Sequence, residues 1–333
     1  MNIFDTNHSI YVAGSSGMVG SAICKLLINN GYKNNNYKKK LLTTTRNELD
    51  LRDNSQLELW FKKQKPDIVI IAAAKVGGIM ANQRKPVDFL LDNLKIQNNI
   101  IEQSFNFGVK RLLFLGSSCI YPKFCKQPIK ENYLLNDILE GTNEFYALAK
   151  IAGLKLCEAY RKQYGFDAIT LMPTNLYGPN DNYDLNDSHV MAALIRKIYE
   201  AKKFNKKNII CWGTGKPLRE FLFVNDLAEA CFFTLKNWFP CSNNSPLDHD
   251  GNPLCWLNVG SEYEISIFDL AKKIANFIEY KGEIIWDSNM PDGTPRKKLD
   301  TNYINKLGWV AKTCLDDGIK ETIKTFEKEL FFN

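Results

Sequence analysis

The sequence predicts an α/β fold in which a doubly wound parallel sheet is covered by helices on both faces. The first half alternates short, continuously apolar segments such as 10–13 and 68–72 with longer stretches of helical periodicity. Strands that are apolar at every position are typical of sheets buried on both faces, and their alternation with helices indicates βαβ units. A glycine-rich segment, 14–20, joins the first such strand to the first helix. Sheets of this kind bind ligands at the carboxyl ends of their strands.

The individual elements follow from the apolar runs and from the residues that end them. The predicted strands are 10–13, 41–45, 67–72, 111–116 and 168–172. The predicted helices are 18–29, 55–63, 88–107 and a long helix within 142–165. Gly31 and Gly108 end the first and third helices, and Asn54 or Ser55 caps the second.

The composition is that of an ordinary globular protein. The 333 residues are 45% hydrophobic and 24% charged, and the net charge of +6 comes mostly from scattered lysines. We therefore expect a solvated basic surface and no nucleic-acid partner. None of the nine cysteines forms a Cys-x-x-Cys pair, which argues against a zinc site, and scattered thiols are typical of a reducing compartment.

The N-terminal residues and the length of the apolar runs indicate the expected cellular location. The N-terminus lacks a signal-peptide pattern, and the longest apolar run, 68–74, is far shorter than the ~18 residues of a membrane helix. We expect a cytoplasmic protein with no metal ion and no membrane partner.

The glycine-rich segment predicts a dinucleotide site. Glycines allow a tight turn and a close approach of the backbone, and the helix that follows offers unpaired N–H groups to a pyrophosphate. The residues expected to contact the cofactor here are Gly14, Ser15, Ser16, Gly17, Met18, Val19 and Gly20. A purely structural glycine turn is the alternative, and the position after an N-terminal strand argues against it.

The end of the second strand indicates which dinucleotide binds. NAD sites usually carry an acidic residue about 20 residues after the glycines, whereas here Thr45 is followed by Arg46. Because an arginine suits the 2′-phosphate of NADPH, NADPH is the expected cofactor, with Asp50 and Leu51 beside its adenine. An ordinary surface arginine is the alternative for Arg46.

The second half has Pro, Gly and Asn clusters and shorter strands, which indicate a smaller α/β portion that binds the substrate. We expect residues 1–175 to form an NADP-binding domain of Rossmann type, to which 221–260 return. Residues 176–220 and 261–333 then form the substrate-binding domain.

Tyr146 and Lys150 lie four residues apart, on one face of a predicted helix. A phenol with a pKa near ~10 is a poor acid-base group at neutral pH, and a nearby ammonium favours its ionised form. Ser117, at the end of the fourth strand, is placed to donate a hydrogen bond to a substrate carbonyl. The same spacing recurs at Tyr199 and Lys203, which we interpret as a solvated helix face. Position after the fourth strand therefore selects Ser117, Tyr146 and Lys150 as the catalytic group.

Cys119 and His189 form a second candidate pair. Cys119 comes two residues after Ser117, so its side chain projects to the same side if the strand geometry persists. A thiolate near a cationic cofactor and a lysine acts as a base. His189 starts a predicted helix after a polar loop. Singly, a cysteine or histidine is more often a packing or surface residue, but together they make a candidate base and acid.

Four segments resemble those of the GDP-L-fucose synthase family, which belongs to the extended short-chain dehydrogenase/reductases. They are 72–79, 115–122, 172–179 and 291–297. The resemblance covers nearly the whole chain, and these segments are far more specific than the glycine loop. It implies an NADPH-dependent enzyme that epimerises GDP-4-keto-6-deoxy-D-mannose at C3 and C5 and reduces it at C4 to GDP-L-fucose. It also implies a homodimer packed through the helix that bears Tyr146.

The resemblance assigns Ser117, Tyr146 and Lys150 to the reduction, and Cys119 and His189 to the epimerisation as base and acid. This is chemically consistent, since a 4-keto group acidifies the protons on both neighbouring carbons. Further cofactor contacts are expected from Leu115, Gly116, Ser118, Lys150, Pro173, Thr174, Asn175, Leu176 and His189. Family members often carry a basic residue in the glycine loop where this chain has Ser16, which leaves Arg46 as the expected partner of the 2′-phosphate.

The resemblance also implies substrate contacts from Lys197, Trp212, Arg219 and Asp292. Arg219 and Lys197, or the neighbouring Arg196, suit the diphosphate. Trp212 is placed to pack on the base or the sugar, and Asp292 to accept hydrogen bonds from guanine.

Two other classes of protein are alternatives. A nucleotide-sugar 4,6-dehydratase would carry an acidic pair beside the catalytic serine, where Ser118 and Cys119 stand, and a simple 4-epimerase has no use for Cys119 and His189. A 4-reductase of the same family stays an open alternative. A non-catalytic dinucleotide-binding scaffold has no need of Ser117, Tyr146 and Lys150 together.

Overall fold

A computed structural model describes residues 4, 7–33, 39–184, 187–241 and 243–332. The strands are β1 (His8–Ala13), β2 (Lys39–Thr43), β3 (Ile68–Ile71), β4 (Arg111–Leu115), β5 (Ala168–Pro173), β6 (Asn175–Tyr177), β7 (Asn208–Trp212), β8 (Leu218–Phe223), β9 (Trp256–Val259), β10 (Glu264–Ser266), β11 (Glu283–Asp287) and β12 (Arg296–Lys297). The helices are α1 (Met18–Asn29), α2 (Asn54–Gln64), α3 (Ile79–Arg84), α4 (Pro86–Asn106), α5 (Glu144–Tyr164), α6 (Val190–Lys203), α7 (Val224–Asn237), α8 (Ile267–Ile278), α9 (Asn302–Lys306) and α10 (Leu315–Phe332). None of the helices in these described ranges is long and apolar enough to cross a bilayer.

The main sheet has the predicted parallel arrangement. Its strands run in the order β2-β1-β3-β4-β5-β9, and every pair in it is parallel. The strand order reverses between β1 and β3, which is the position where open α/β sheets bind their ligands. The α/β fold class predicted from the sequence is therefore confirmed.

Helices cover both faces of this sheet. Along β1, Tyr11 and Ala13 pack into one apolar cluster, with α2, α4 and α5, while Ile10 and Val12 pack into another, with α1 and α7. Because successive side chains of a strand point to opposite faces, a strand between two cores is apolar at every position. This is the physical basis of the continuous apolar runs.

Element boundaries differ from the predicted ones by a few residues. The cap of α2 is Asp53, whose carboxylate accepts a hydrogen bond from the Gln56 N–H, so the prediction of Asn54 or Ser55 was wrong by one or two positions. A carboxylate at this position also interacts favourably with the positive end of the helix. α4 begins two residues early at Pro86, a residue that suits the first turn of a helix.

The second half supplies smaller sheets and a third apolar cluster. β8 pairs with β6, β10 and β12, and β7 pairs with β11. The third cluster lies between α6, α8 and α10. β9 returns to the main sheet beside β5. The boundaries of the two domains stay a prediction.

Candidate active site

The glycine loop brings β1, β3 and α1 into close contact. Gly14 has a φ of +86°, and a Cβ on it would lie 2.6 Å from the backbone nitrogen of Ala73. A Cβ on Gly20 would overlap the carbonyl oxygen of Gly14. No side chain caps α1 at Gly17, and its first turn carries no acidic residue. The unpaired N–H groups at this helix start fit a pyrophosphate.

The loop after β2 presents the residues expected at the adenosine end. Arg46 is exposed on the turn that follows β2. The Asp50 carboxylate accepts hydrogen bonds from the Arg52 guanidinium and N–H, and these, with a smaller effect from the Arg46 charge, lower the pKa of Asp50 to about 2. Leu51 is half-buried against the core. Arg46 thus lies on an exposed turn at the carboxyl end of β2, and its contact with a 2′-phosphate stays a prediction.

The residues after β4 and β5 also lie at the carboxyl edge of the sheet. A Cβ on Gly116 would overlap the Met172 sulfur, so the end of β4 and the side chain of Met172 in β5 are in close contact here. The Thr174 hydroxyl and the Asn175 amide both donate to the carbonyl oxygen of Glu220, at 3.2 and 2.8 Å. The structure thus brings the predicted cofactor residues that follow β4 and β5 to one edge of the sheet. They are Leu115, Gly116, Ser118, Pro173, Thr174, Asn175 and Leu176.

Lys150 is buried, and its Nζ donates a 2.8 Å hydrogen bond to the carbonyl oxygen of Leu115. Burial lowers the pKa of Lys150 to about 7. Burial raises the pKa of the Tyr146 phenol, the nearby Cys119 raises it further, and a hydrogen bond with Ser117 opposes the rise. The expected lowering of the Tyr146 pKa is therefore absent here, because desolvation outweighs the attractive contacts. A protonated phenol is the form that donates a proton to a ketone.

The geometry assumed for Cys119 was wrong. β4 ends at Leu115, and after an extended Ser117 the chain forms a single 3-10 turn over Ser118–Ile120. The Cys119 N–H donates to Ser117 Oγ at 3.2 Å. The turn, rather than a continued strand, keeps Cys119 beside Ser117.

Sequence reasoning missed Lys297 as a site residue. Its Nζ donates to Cys119 Sγ at 3.3 Å, although 178 residues separate them in the chain. Lys297 lies opposite Arg219 in the pairing of β12 with β8. Burial alone would raise the pKa of Cys119, but the Lys297 ammonium, the Ser117 hydrogen bond and the Arg219 charge lower it overall. The one available signal was its place in segment 291–297, the last of the four resemblances.

His189 occupies the N-cap position of α6, as its place at the start of the predicted helix indicated, although its side chain makes no capping hydrogen bond. Desolvation in the cleft and the Lys297 charge lower the pKa of its imidazole. Two residues before His189, Asp187 forms ion pairs with Arg84 at 2.8 Å and Lys85 at 3.2 Å, and its backbone carbonyl accepts a hydrogen bond from the Gly78 N–H. These contacts hold the His189 loop against α3.

Cys119 and His189 line the same cleft as the expected substrate residues. The cleft is lined by Cys119, His189, Lys197, Trp212, Arg219, Asp292 and Lys297. Lys197 Nζ lies 5.8 Å from the centroid of the Trp212 ring, and 47% of Trp212 is exposed. Cations and an exposed indole in one cleft suit a nucleoside diphosphate.

Asp292 has a partner within the protein. Its carboxylate accepts from the Thr214 N–H at 2.7 Å and the Thr214 hydroxyl at 2.8 Å. These bonds occupy one lone pair on each oxygen, so the loop after β7 is held in place while a guanine contact stays a prediction.

The second Tyr-x-x-x-Lys pair lies elsewhere. Tyr199, on α6, packs against the ring of Phe326 on α10, and Lys203 is exposed at the end of α6. Among the described residues, no group of His, Cys, Asp and Glu side chains is arranged to hold a metal ion.

Comparison with known proteins places the chain in a family. The pattern of the NAD dependent epimerase/dehydratase family matches residues 10–240. GDP-L-fucose synthase 1 of Arabidopsis thaliana is 48% identical over 326 residues, which are 98% of this chain and 95% of that protein. The chain belongs to the GDP-L-fucose synthase family.

Solved structures agree with this membership. A GDP-6-OMe-4-keto-L-xylo-heptose reductase from C. jejuni matches with a TM-score of 0.88 at 34% identity, over 98% of this chain and 99% of the other. A GDP-L-fucose synthetase from Naegleria fowleri bound to NADP matches with a TM-score of 0.84 at 28% identity, over 98% and 95% of the two chains. The GDP-L-fucose synthase family, which four sequence segments predicted, is therefore confirmed. The similarity extends over nearly the whole chain.

Proposed function

We propose that this protein converts GDP-4-keto-6-deoxy-D-mannose to GDP-L-fucose, by epimerisation at C3 and C5 followed by NADPH-dependent reduction at C4. The observation that carries the proposal is the single cleft that holds Cys119, His189 and the cations, with Ser117 and Tyr146 beside Cys119. Family membership and the similarity to an NADP-bound synthetase support the same reaction and cofactor.

For the reduction, NADPH when bound supplies a hydride to C4. Tyr146 gives its phenolic proton to the carbonyl oxygen, and Ser117 donates a hydrogen bond to the same oxygen. Lys150 is held by the Leu115 carbonyl at the base of α5, where its remaining N–H groups are available to the cofactor ribose and to Tyr146.

For the epimerisation, the Cys119 thiolate takes the proton from C3 or C5. The C–H bond breaks, an S–H bond forms, and the electron pair moves to O4, where Ser117 and Tyr146 stabilise the enolate. His189 as imidazolium returns a proton to the opposite face of the carbon. The diphosphate in the same cleft opposes the effect of Lys297 on the His189 pKa and so favours this imidazolium.

The cations of the cleft hold the nucleotide. Arg219 and Lys197 suit the diphosphate, and the exposed Trp212 suits the base or the sugar. Because the cleft offers both cations and an exposed indole ring, we propose a nucleotide sugar rather than a free sugar as the substrate.

In the assay, the purified protein is supplied with NADPH and GDP-4-keto-6-deoxy-D-mannose in heavy water. We expect loss of NADPH absorbance and formation of GDP-L-fucose that carries deuterium at C3 and C5. Absence of NADPH oxidation would contradict the proposal. Cys119→Ser should abolish deuterium incorporation while the protein still binds NADPH.

A second candidate is a 4-reductase of a related GDP-4-keto sugar, favoured by the similarity to the C. jejuni heptose reductase. Reduction without deuterium at C3 and C5 would favour it. The presence of both Cys119 and His189 in the cleft favours the epimerising reaction.

We also propose a cytoplasmic homodimer. All nine cysteines, each within the described residues, are free thiols, which fits a reducing compartment. α4 and α5 pack against each other, and both carry exposed apolar side chains, among them Val87, Leu91, Phe145 and Leu148. An apolar surface of this kind on two packed helices suits a symmetric interface. Light scattering of the purified protein tests the mass, and Leu148→Glu should yield monomers.

A further inference from the structure

Lys297 is a buried cation whose partner is a thiol. Only 9% of its surface is exposed. Across the part of the chain that the structure describes, no carboxylate forms an ion pair with Lys297, and its Nζ donates its hydrogen bond to Cys119 Sγ at 3.3 Å. A buried ammonium is strongly destabilised unless a negative charge or several acceptors compensate it. The group in contact that is able to supply this charge is the Cys119 sulfur.

We propose that Lys297 is a positioning residue for epimerisation, which holds Cys119 as a thiolate aimed into the cleft. The inference rests on the proposed function, because it explains how the base of that reaction is made available. The ammonium and the thiolate form an ion pair inside the protein, where the attraction is less screened than in water.

The groups that other elements place around Cys119 also favour its thiolate form. Arg219 of β8 lies next to Lys297 in the strand pairing and adds a second positive charge. The Ser117 hydroxyl is a neutral hydrogen-bond partner, and Tyr146 is protonated. Both acids that line the cleft have partners of their own, since Glu140 is paired with Lys123 at 3.1 Å and Asp292 accepts a hydrogen bond from the Thr214 N–H at 2.7 Å.

The strand pairing explains why Lys297 is held there. β12 is a two-residue strand paired with β8, and the next residues are tied down by hydrogen bonds from the Lys298 N–H to Gln127 and from the Leu299 N–H to Glu220. Lys298 follows in an extended segment, so its side chain points away from that of Lys297. The neighbour is therefore a matched control of equal charge.

The test measures alkylation of Cys119 by iodoacetamide against pH, without any nucleotide sugar, by mass spectrometry of the Cys119 peptide. We expect Lys297→Gln to move the midpoint of the alkylation profile up by about one pH unit or more. Lys297→Arg should restore most of the wild-type profile, and Lys298→Gln should leave it unchanged. Lys297→Met provides a second uncharged variant of similar length if the glutamine variant does not fold.

An unchanged alkylation profile in Lys297→Gln or Lys297→Met would overturn the proposal. A loss of GDP affinity with an unchanged profile would overturn it too, since Lys297 would then serve the diphosphate alone. Because alkylation needs no substrate, this result is independent of the test of the proposed function.

A second measurement links the ion pair to the reaction. Deuterium exchange at C3 and C5 is followed with NADP in place of NADPH, so that no reduction occurs. We expect exchange near neutral pH to fall about tenfold in Lys297→Gln and to recover as the pH is raised. A loss that stays the same at every pH would contradict a role through the thiolate.

Discussion

The carbonyl oxygen of Leu115, the last residue of β4, accepts a 2.8 Å hydrogen bond from Lys150 Nζ. This contact joins the end of a central strand to the helix that bears Tyr146, and it holds a buried amine whose pKa burial lowers to about 7. Burial therefore opposes the charged form of this amine, whereas the reaction needs a cation beside the phenol.

Lys150→Met should lower the rate of reduction about 100-fold or more, because the cofactor and Tyr146 lose their cation. The fold should persist, since methionine fills a similar volume without a buried charge. Steady-state kinetics and a thermal melt measure the two effects. Lys203→Met, which changes the second Tyr-x-x-x-Lys pair, is the control. An equal loss in both variants would contradict the assignment.

Gly20→Ala should destabilise the protein by about 3 kcal/mol and abolish NADPH binding, since its Cβ overlaps the Gly14 carbonyl. Gly17→Ala is the matched variant, because its Cβ meets the same oxygen at 3.6 Å, an ordinary contact. Urea unfolding of the two variants checks the difference. Similar stabilities would show that the loop relaxes around the added methyl group.

Arg46→Met should weaken NADPH binding about tenfold while NADH binding stays unchanged, because only NADPH carries the 2′-phosphate. Fluorescence titration with each cofactor measures the ratio. If both affinities fall together, Arg46 acts on the loop and not on the phosphate.

Glu131 predicts a pH dependence of stability. Burial is the main cause that raises the pKa of its carboxyl to about 7, even though the Asn258 N–H donates to it at 3.1 Å. A raised folded-state pKa gives stabilisation that is complete below the unfolded value, near pH 4.5, and is lost as the pH rises through 7. Glu131→Gln should match the wild type at pH 4.5 and exceed it by about 3 kcal/mol at pH 8.

Urea unfolding at a series of pH values checks the Glu131 prediction. The difference between the two proteins removes the contribution of all other titrating groups. If the free energies of unfolding of the wild type and of Glu131→Gln differ by the same amount at every pH from 4.5 to 8, the Glu131 carboxyl titrates at its ordinary pKa.

The parts of the fold that were predicted depend on local information. β1 and β3 were recognised because strands between two cores are apolar at each position, and the loop from Gly14 to Gly20 because the close approach of its backbone leaves no room for a side chain at Gly14 and Gly20. The α2 cap was misplaced because Asp53, Asn54 and Ser55 are all good caps, and the choice depends on backbone angles.

The candidate site was predicted less completely. Ser117 and Cys119 were named together, but for a strand geometry that does not occur, since the chain turns after Leu115. The raised pKa of Tyr146 was not expected, because the spacing to Lys150 carries no information about desolvation.

The sequence by itself determined the parallel α/β fold, the cofactor loop and the family, since these depend on periodicity, on glycines and on long matching segments. Only the tertiary structure decided which charges meet. Lys297 contacts Cys119 across 178 residues, through the pairing of β12 with β8, and no local pattern records such a contact. Electrostatic effects depend on distance and burial in three dimensions, and this is why the tertiary structure was needed to find the cation beside the proposed base.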